Sequence, residues 1–118
     1  MNLIIYAGRE FKADFTIVSS DGITAEVLDP SDTATFSAQT SGANPESIVK
    51  DIPMTLIDAD NGLFELSLTA EQTESFKQYV GFQEDCFLPI CNHTGYLDFI
   101  LVSGNQQSTV SISVKEIV

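Results

Sequence analysis

The chain has 118 residues, 43% of them apolar, and sets seventeen acidic against five basic side chains for a formal charge of −12. That length fits one domain, 1-118, burying roughly two thirds of the surface its unfolded chain exposes, and the apolar content opposes disorder. Arg9, Lys12, Lys50, Lys77 and Lys115 are too few and too scattered along the sequence to grip a phosphate backbone or an anionic bilayer, so neither nucleic acid nor membrane is expected as a partner.

In chain order, residues 3–6 form a brief apolar run ended by Gly8. Residues 11–17 alternate apolar and polar, the period of a strand with one wet face. Ser20-Asp21-Gly22 supplies hairpin chemistry before a further strand expected at 23–28, which stops at Asp29-Pro30-Ser31-Asp32. Ala34, Phe36 and Ala38 mark another half-buried strand, and residues 40–47 are small and polar, the best loop in the chain. Residues 48–57 read as a strand, but Pro53 lacks an N–H and suits an edge or a bulge. Beyond the turn 58–62, Phe64, Leu66 and Leu68 share one face of a strand.

One short helix is expected near 70-80. Thr69 opens the capping box Thr-Ala-Glu-Gln with Gln72 at N3, and Glu71 and Glu74 favour its first turns. Phe76 and Val80 share a face and Gly81 caps the end, giving about three turns that cross between two sheets. Residues 82–92 are ambiguous because Pro89 breaks an apolar run, and strands at 96–102 and 109–118 flank a polar turn. About seven strands with regular turn signals predict an all-β sandwich. Its expected core is Phe11, Phe15, Ile17, Phe36, Phe64, Leu66, Leu68, Leu97, Phe99, Leu101, Ile112 and Val114.

Catalytic and metal chemistry is short of parts. Cys86 and Cys91 with His93 and the adjacent Asp85 form the one cluster of metal-type ligands, but a tetrahedral zinc site wants a second pair that the sequence lacks. Free, buried thiols are expected. Counted from Asp58, Gly62 stands at position 5 and Thr69 at position 12, so the calcium-loop pattern fails and a hairpin turn is expected instead. Asp21, Asp29, Asp32 and Asp60 all lie in turns, which leaves a calcium loop of another type open. Cys91 and His93 would point to one face of a strand, the arrangement of a Cys–His hydrolase, but no nucleophile elbow accompanies them. No enzyme, no cofactor and no bound metal are expected. Tyr79, Phe82, Phe87 and Tyr96 would line a shallow carbohydrate- or ligand-binding face if exposed.

No signal-peptide core or membrane-spanning run occurs, so the chain is expected on the cytosolic side or inside a particle. Phe-Thr-Ile-Val-Ser-Ser-Asp-Gly from Phe15, Asp29-x-x-Asp32-x-x-x-Phe36, and 54–73 with Asn61-Gly62 leading into Thr69-x-x-Gln72-Thr73 together resemble small immunoglobulin-like modules of tailed-bacteriophage virions. Similar proteins include the N-terminal domain of baseplate upper proteins and the small collar proteins that anchor side tail fibres. The resemblance covers two thirds of the chain and implies an immunoglobulin-like β-sandwich without catalytic residues. It implies a structural virion protein of the tail or head surface: an adaptor contacting other virion proteins, as a homo-oligomeric ring or repeated copies. No heptads follow, so a stand-alone module is expected. The expected contacts are the apolar terminal segments 1–6 and 111–118, as open sheet edges, and the loop 40–47.

Overall fold

The computed structural model describes residues 2–18, 22–40, 44–77 and 90–115, with the backbone alone for 90–92. Among the described residues, eight strands form two packed sheets, an all-β sandwich. They are β1 (Asn2–Tyr6), β2 (Phe11–Thr16), β3 (Thr33–Thr40), β4 (Ser47–Pro53), β5 (Thr55–Asp58), β6 (Leu63–Leu68), β7 (Ile90–Ile100) and β8 (Gln106–Lys115). The larger sheet runs β1-β8-β7-β3-β4 and the smaller β2-β6-β5. All ladders are antiparallel except β1–β8, which is parallel.

Alternation does what the period-2 pattern requires. Of the twelve expected core residues, eleven are buried and Phe11 is half-buried against them. Leu3, Ile5, Leu28, Ala34, Ala38, Met54, Phe76 and Val110 complete the core. Pro53 ends β4, an edge strand, and the Met54 N–H donates to the Ala34 carbonyl at 2.9 Å. Immediately afterwards the chain enters β5 in the other sheet, so the segment 48–57 is two strands rather than one. β4 also carries a bulge: Ile52 pairs with Phe36 and Val49 with Ala38, so Lys50 and Asp51 together oppose Ser37. Asp51 takes φ 53° there, a conformation Asp tolerates better than most, and its N–H donates to Ser37 Oγ at 3.0 Å.

Three further expectations are corrected. Residues 23–28 form no strand; a single bridge joins Val18 to Ala25, and Asp21 lies outside the described residues. The reason is competition for backbone groups. Ile17 N–H goes to Gly62 O, Glu26 N–H to Ile17 O and Leu28 N–H to Ala59 O, which ties this segment to the 59–62 turn instead of a ladder. That turn is a single 3₁₀ turn closed by Gly62 at φ 62°. The α-helix, α1, is only Ala70–Glu74. Its capping box forms as expected, with Thr69 Oγ1 accepting from Gln72 N–H at 3.1 Å and Gln72 Oε1 from Thr69 N–H at 2.8 Å. It then tightens into i→i+3 bonds at Ser75 and Phe76, while Val80 and Gly81 lie outside the described residues.

The third correction concerns the C-terminal segment. β8 is no open edge but an internal strand between β1 and β7, with Ile112 and Val114 fully buried. Removing 113–118 would strip Val114 from the core, together with three of the five matched positions between β8 and β1 and three of the ten between β8 and β7. Of the two terminal strands, β1 alone forms an edge.

Candidate functional site

The strands give the sandwich two distinct ends. At one, α1 and Tyr6 to Phe11 adjoin Leu68, Thr40 and Lys115; at the other, Thr16–Val18, 22–32, the Gly62 turn and the β7–β8 turn come together. Among the described residues, the Gly62 end holds most of the exposed large apolar side chains. Of eight exposed large apolar side chains among the described residues, Val18, Ile23, Val27, Ile57, Ile100 and Val102 lie there. Ile23, Val27 and Val102 are 87%, 71% and 75% exposed.

Two carboxylates brace this surface. Asp32 is buried, and it accepts the Val102 N–H on Oδ1 and the Asp29 N–H on Oδ2, each at 2.9 Å. Glu26 Oε1 accepts from Ser103 Oγ at 3.2 Å, joining the 22–28 segment to the β7–β8 turn. Asp29 in turn accepts from Ser31 Oγ at 2.6 Å and Ser31 N–H at 2.9 Å. The hydroxyl bond first, then the backbone bond, holds the Asp29 carboxyl below the ordinary range.

Charge is divided unevenly between the ends. Arg9, Lys12, Lys77 and Lys115, far apart in sequence, gather at the α1 end, and Lys50 sits on the β4 bulge. The Gly62 end holds Glu26, Asp29, Asp32, Asp58 and Asp60 and none of the chain's five cations. This end therefore combines exposed apolar side chains with carboxylates and has no cation.

The residues singled out from sequence fare differently. Asp85, Cys86, Tyr79, Phe82 and Phe87 lie outside the described residues, and of Cys91 the backbone alone is described, opposite Val114. His93 is buried, 2% exposed, with its ring 6.1 Å from that of Phe76, and burial pushes its pKa below the ordinary 6.5. The imidazole is thus part of the core at the α1 end rather than a base facing solvent. Asp29 accepts from Ser31 in its own turn, Asp32 accepts from the Asp29 and Val102 N–H groups, and Asp58 Oδ2 accepts from Asn61 Nδ2 at 2.7 Å. Among the described residues no three His, Cys, Asp or Glu side chains come together as metal ligands. Tyr96 is half-buried on the outer face of the large sheet, its hydroxyl accepting from Gln39 Nε2 at 3.1 Å. The loop 40–47 joins β3 to β4, and Thr40 and Glu46 close it with N–H bonds at 2.9 and 2.8 Å.

Sequence reading missed Ile23, Val27, Ile100 and Val102 as surface residues, though a signal was present. Residues 99–102 are four apolar residues in a row, so with Phe99 and Leu101 turned inward, Ile100 and Val102 must face out. Val27-Leu28 poses the same choice, resolved with Leu28 inside. A groove of about 580 Å³ also opens between β2 and the β7–β8 hairpin, lined by Asp14, Thr16, Val18, Gln106, Ser108 and Thr109 over the buried Phe15 and Phe99.

No protein-family model matches the chain, and no curated protein matches it in sequence.

Proposed function

We propose that this chain is a non-catalytic structural adaptor of a tailed-bacteriophage particle, present in repeated copies, which docks on other virion proteins through its Gly62 end. The observation that carries docking is the coincidence, at one end of a rigid sandwich, of exposed Ile23, Val27 and Val102 with carboxylates and no cation. Such a surface fits a partner that is itself apolar and ringed by Lys or Arg, because complementary charge steers the encounter and buried apolar area holds it. Repetition in a particle lets each contact be modest while the whole is stable.

The phage setting is supported by two of the motifs that carry the resemblance, the Asn61-Gly62 turn and the Thr69 capping box reached through β6. Burial of the single imidazole, His93, in the core favours a non-catalytic role. The test is made on gradient-purified particles encoded by the same genome. Gold-labelled antibody raised against the chain should decorate them, and the double variant Val27→Glu, Val102→Glu should melt like the wild type yet fail to be incorporated. Particles devoid of the chain would overturn the reading.

A second reading, carbohydrate or ligand binding, is favoured by the groove beside β2, whose hydroxyl and carboxylate lining over aromatic flooring suits a polyol. Chemical-shift changes at Ser108 and Thr109 in a glycan titration would select it.

A further inference from the structure

Four strands form the sheet edges among the described residues, and three of them are blunted against pairing. β4 has the bulge at Asp51, with Lys50, and Pro53 at its end. β2 carries Lys12 and Asp14, and β5 is four residues long and ends in Asp58. β1 differs. Asn-Leu-Ile-Ile-Tyr contains no charge, no proline and no bulge, and it pairs with β8 through five consecutive matched positions.

The backbone of β1 is poised on its open side. Ala7 N–H donates to Lys115 O at 3.0 Å, and backbone groups alternate sides along a strand, so Leu3 and Ile5 address β8. The N–H and C=O of Asn2 and Ile4, and the N–H of Tyr6, therefore face outward. The side chains above them, Ile4 and Tyr6, are 43% and 42% exposed. Beside them on the same outer face stand Ser111, Ser113 and Lys115, and Ser113 Oγ donates to Asn2 Oδ1 at 3.3 Å. In a chain with seventeen carboxylates, the part of this face built by β1 and β8 has none; the nearest strand to carry one is β7, with Asp98.

We infer that β1 is a self-association edge, and that a second copy of this chain pairs there antiparallel about a two-fold axis at Ile4. The register follows from the outward-facing groups: Ile4 opposite Ile4 of the second copy, and Asn2 opposite Tyr6. Ile4 opposite Ile4 is then a full hydrogen-bonded pair, each Tyr6 N–H donates to the Asn2 carbonyl of the other copy, and the two large sheets join into one of ten strands. The occupant is a second copy because of charge. Two molecules of −12 repel over most of their surfaces, and β1 is the edge where neither brings a carboxylate to the contact. A basic partner would find no acid there. An isologous contact of this kind also closes on itself.

The contact has no ion pair to screen, so salt acts only on the repulsion between the two molecules, and dimerisation should strengthen as ionic strength rises. Sedimentation equilibrium of the full chain at low and high salt should show a monomer–dimer equilibrium moving toward dimer with salt. Ile4→Lys places like charges opposite each other at the axis and should leave a monomer at every salt concentration, with an unchanged circular dichroism spectrum. As a measurement on the wild type itself, hydrogen exchange of the Ile4 amide should slow with protein concentration while that of Val18 does not. The double variant Val27→Glu, Val102→Glu should dimerise normally, which separates this edge from the proposed docking end. A wild type that is monomeric at high salt, a dimer untouched by Ile4→Lys, or an Ile4 amide insensitive to concentration would each overturn the inference.

Discussion

Phe64 on the small sheet and Phe99 on the large one meet across the core with ring centroids 5.7 Å apart and planes tilted by 50°. Both rings are buried, so this pair joins the two layers at the position where β6 faces β7. Phe64→Ala or Phe99→Ala should each cost about 3–5 kcal/mol, from lost transfer energy and the cavity left behind. The double variant should lose less than the sum, because the second truncation removes a contact already gone. Urea denaturation of the four proteins measures both quantities.

Gly95 allows close packing in the middle of β7. A Cβ there would lie 2.8 Å from Val110 Cγ2, 2.9 Å from Ile112 Cδ1 and 3.0 Å from Phe36 Cε1, all on buried side chains. Gly95→Ala should destabilise by about 1–3 kcal/mol through overpacking. Adding Val110→Ala, which clears the nearest of these atoms, should recover part of the loss on thermal melting.

His93 links stability to pH. Its folded pKa lies below the 6.5 of the unfolded chain because burial disfavours the imidazolium, so below 6.5 the unfolded state takes up the proton more readily. The stability is fully present above 6.5 and declines as pH falls below it, by up to about 1.4 kcal/mol per pH unit until the folded imidazole itself titrates. Denaturation at pH 7.5, 6.5 and 5.5 should show the decline in the wild type. His93→Phe, comparable in shape and adjacent to Phe76, should remove this component.

Asp32 is the brace of the Gly62 end. Asp32→Ala leaves the Val102 and Asp29 N–H groups without their acceptor and should cost about 1–3 kcal/mol, with Asp32→Asn intermediate. Because the Asp29 and Asp32 carboxylates already accept backbone N–H and Ser31 hydroxyl hydrogen bonds, a chelator should leave the melting temperature of the wild type unchanged. A fall of ten degrees or so, equivalent to roughly 2–3 kcal/mol in a domain of this size, would show that a metal is held after all.

Much of the sandwich could be read from local pattern, because alternation and capping are local physics. Phe64, Leu66 and Leu68 had to share a face, and Thr69 with Gln72 had to start a helix wherever the chain went next. Residues 23–28 show where pattern fails. Ile23, Ala25 and Val27 alternate as a strand would, but the neighbouring Glu26 and Leu28 N–H groups go to Ile17 and Ala59, which only the assembled fold brings near. The parallel β1–β8 pairing has the same origin, since nothing local in either segment specifies a partner more than a hundred residues away. The docking end was hidden for a related reason. Cations that look dispersed along the chain collect at the α1 end, and the acidic, apolar character of the opposite end appears only once they have done so.

The parallel course of β1 and β8 has a mechanical consequence. Asn2 lies opposite Ser111 and Tyr6 opposite Lys115, so the start of β1 and the finish of β8 point away from each other along one common axis. Tension applied between residues 2 and 115 therefore runs along the ladder, and its rungs bear the load together in shear. A hairpin such as β7–β8, pulled at its open end, yields one rung at a time. A module strung between neighbours by its first and last strands would resist stretching by the collective strength of that seam, and would give way only when the two strands slide past each other as a unit.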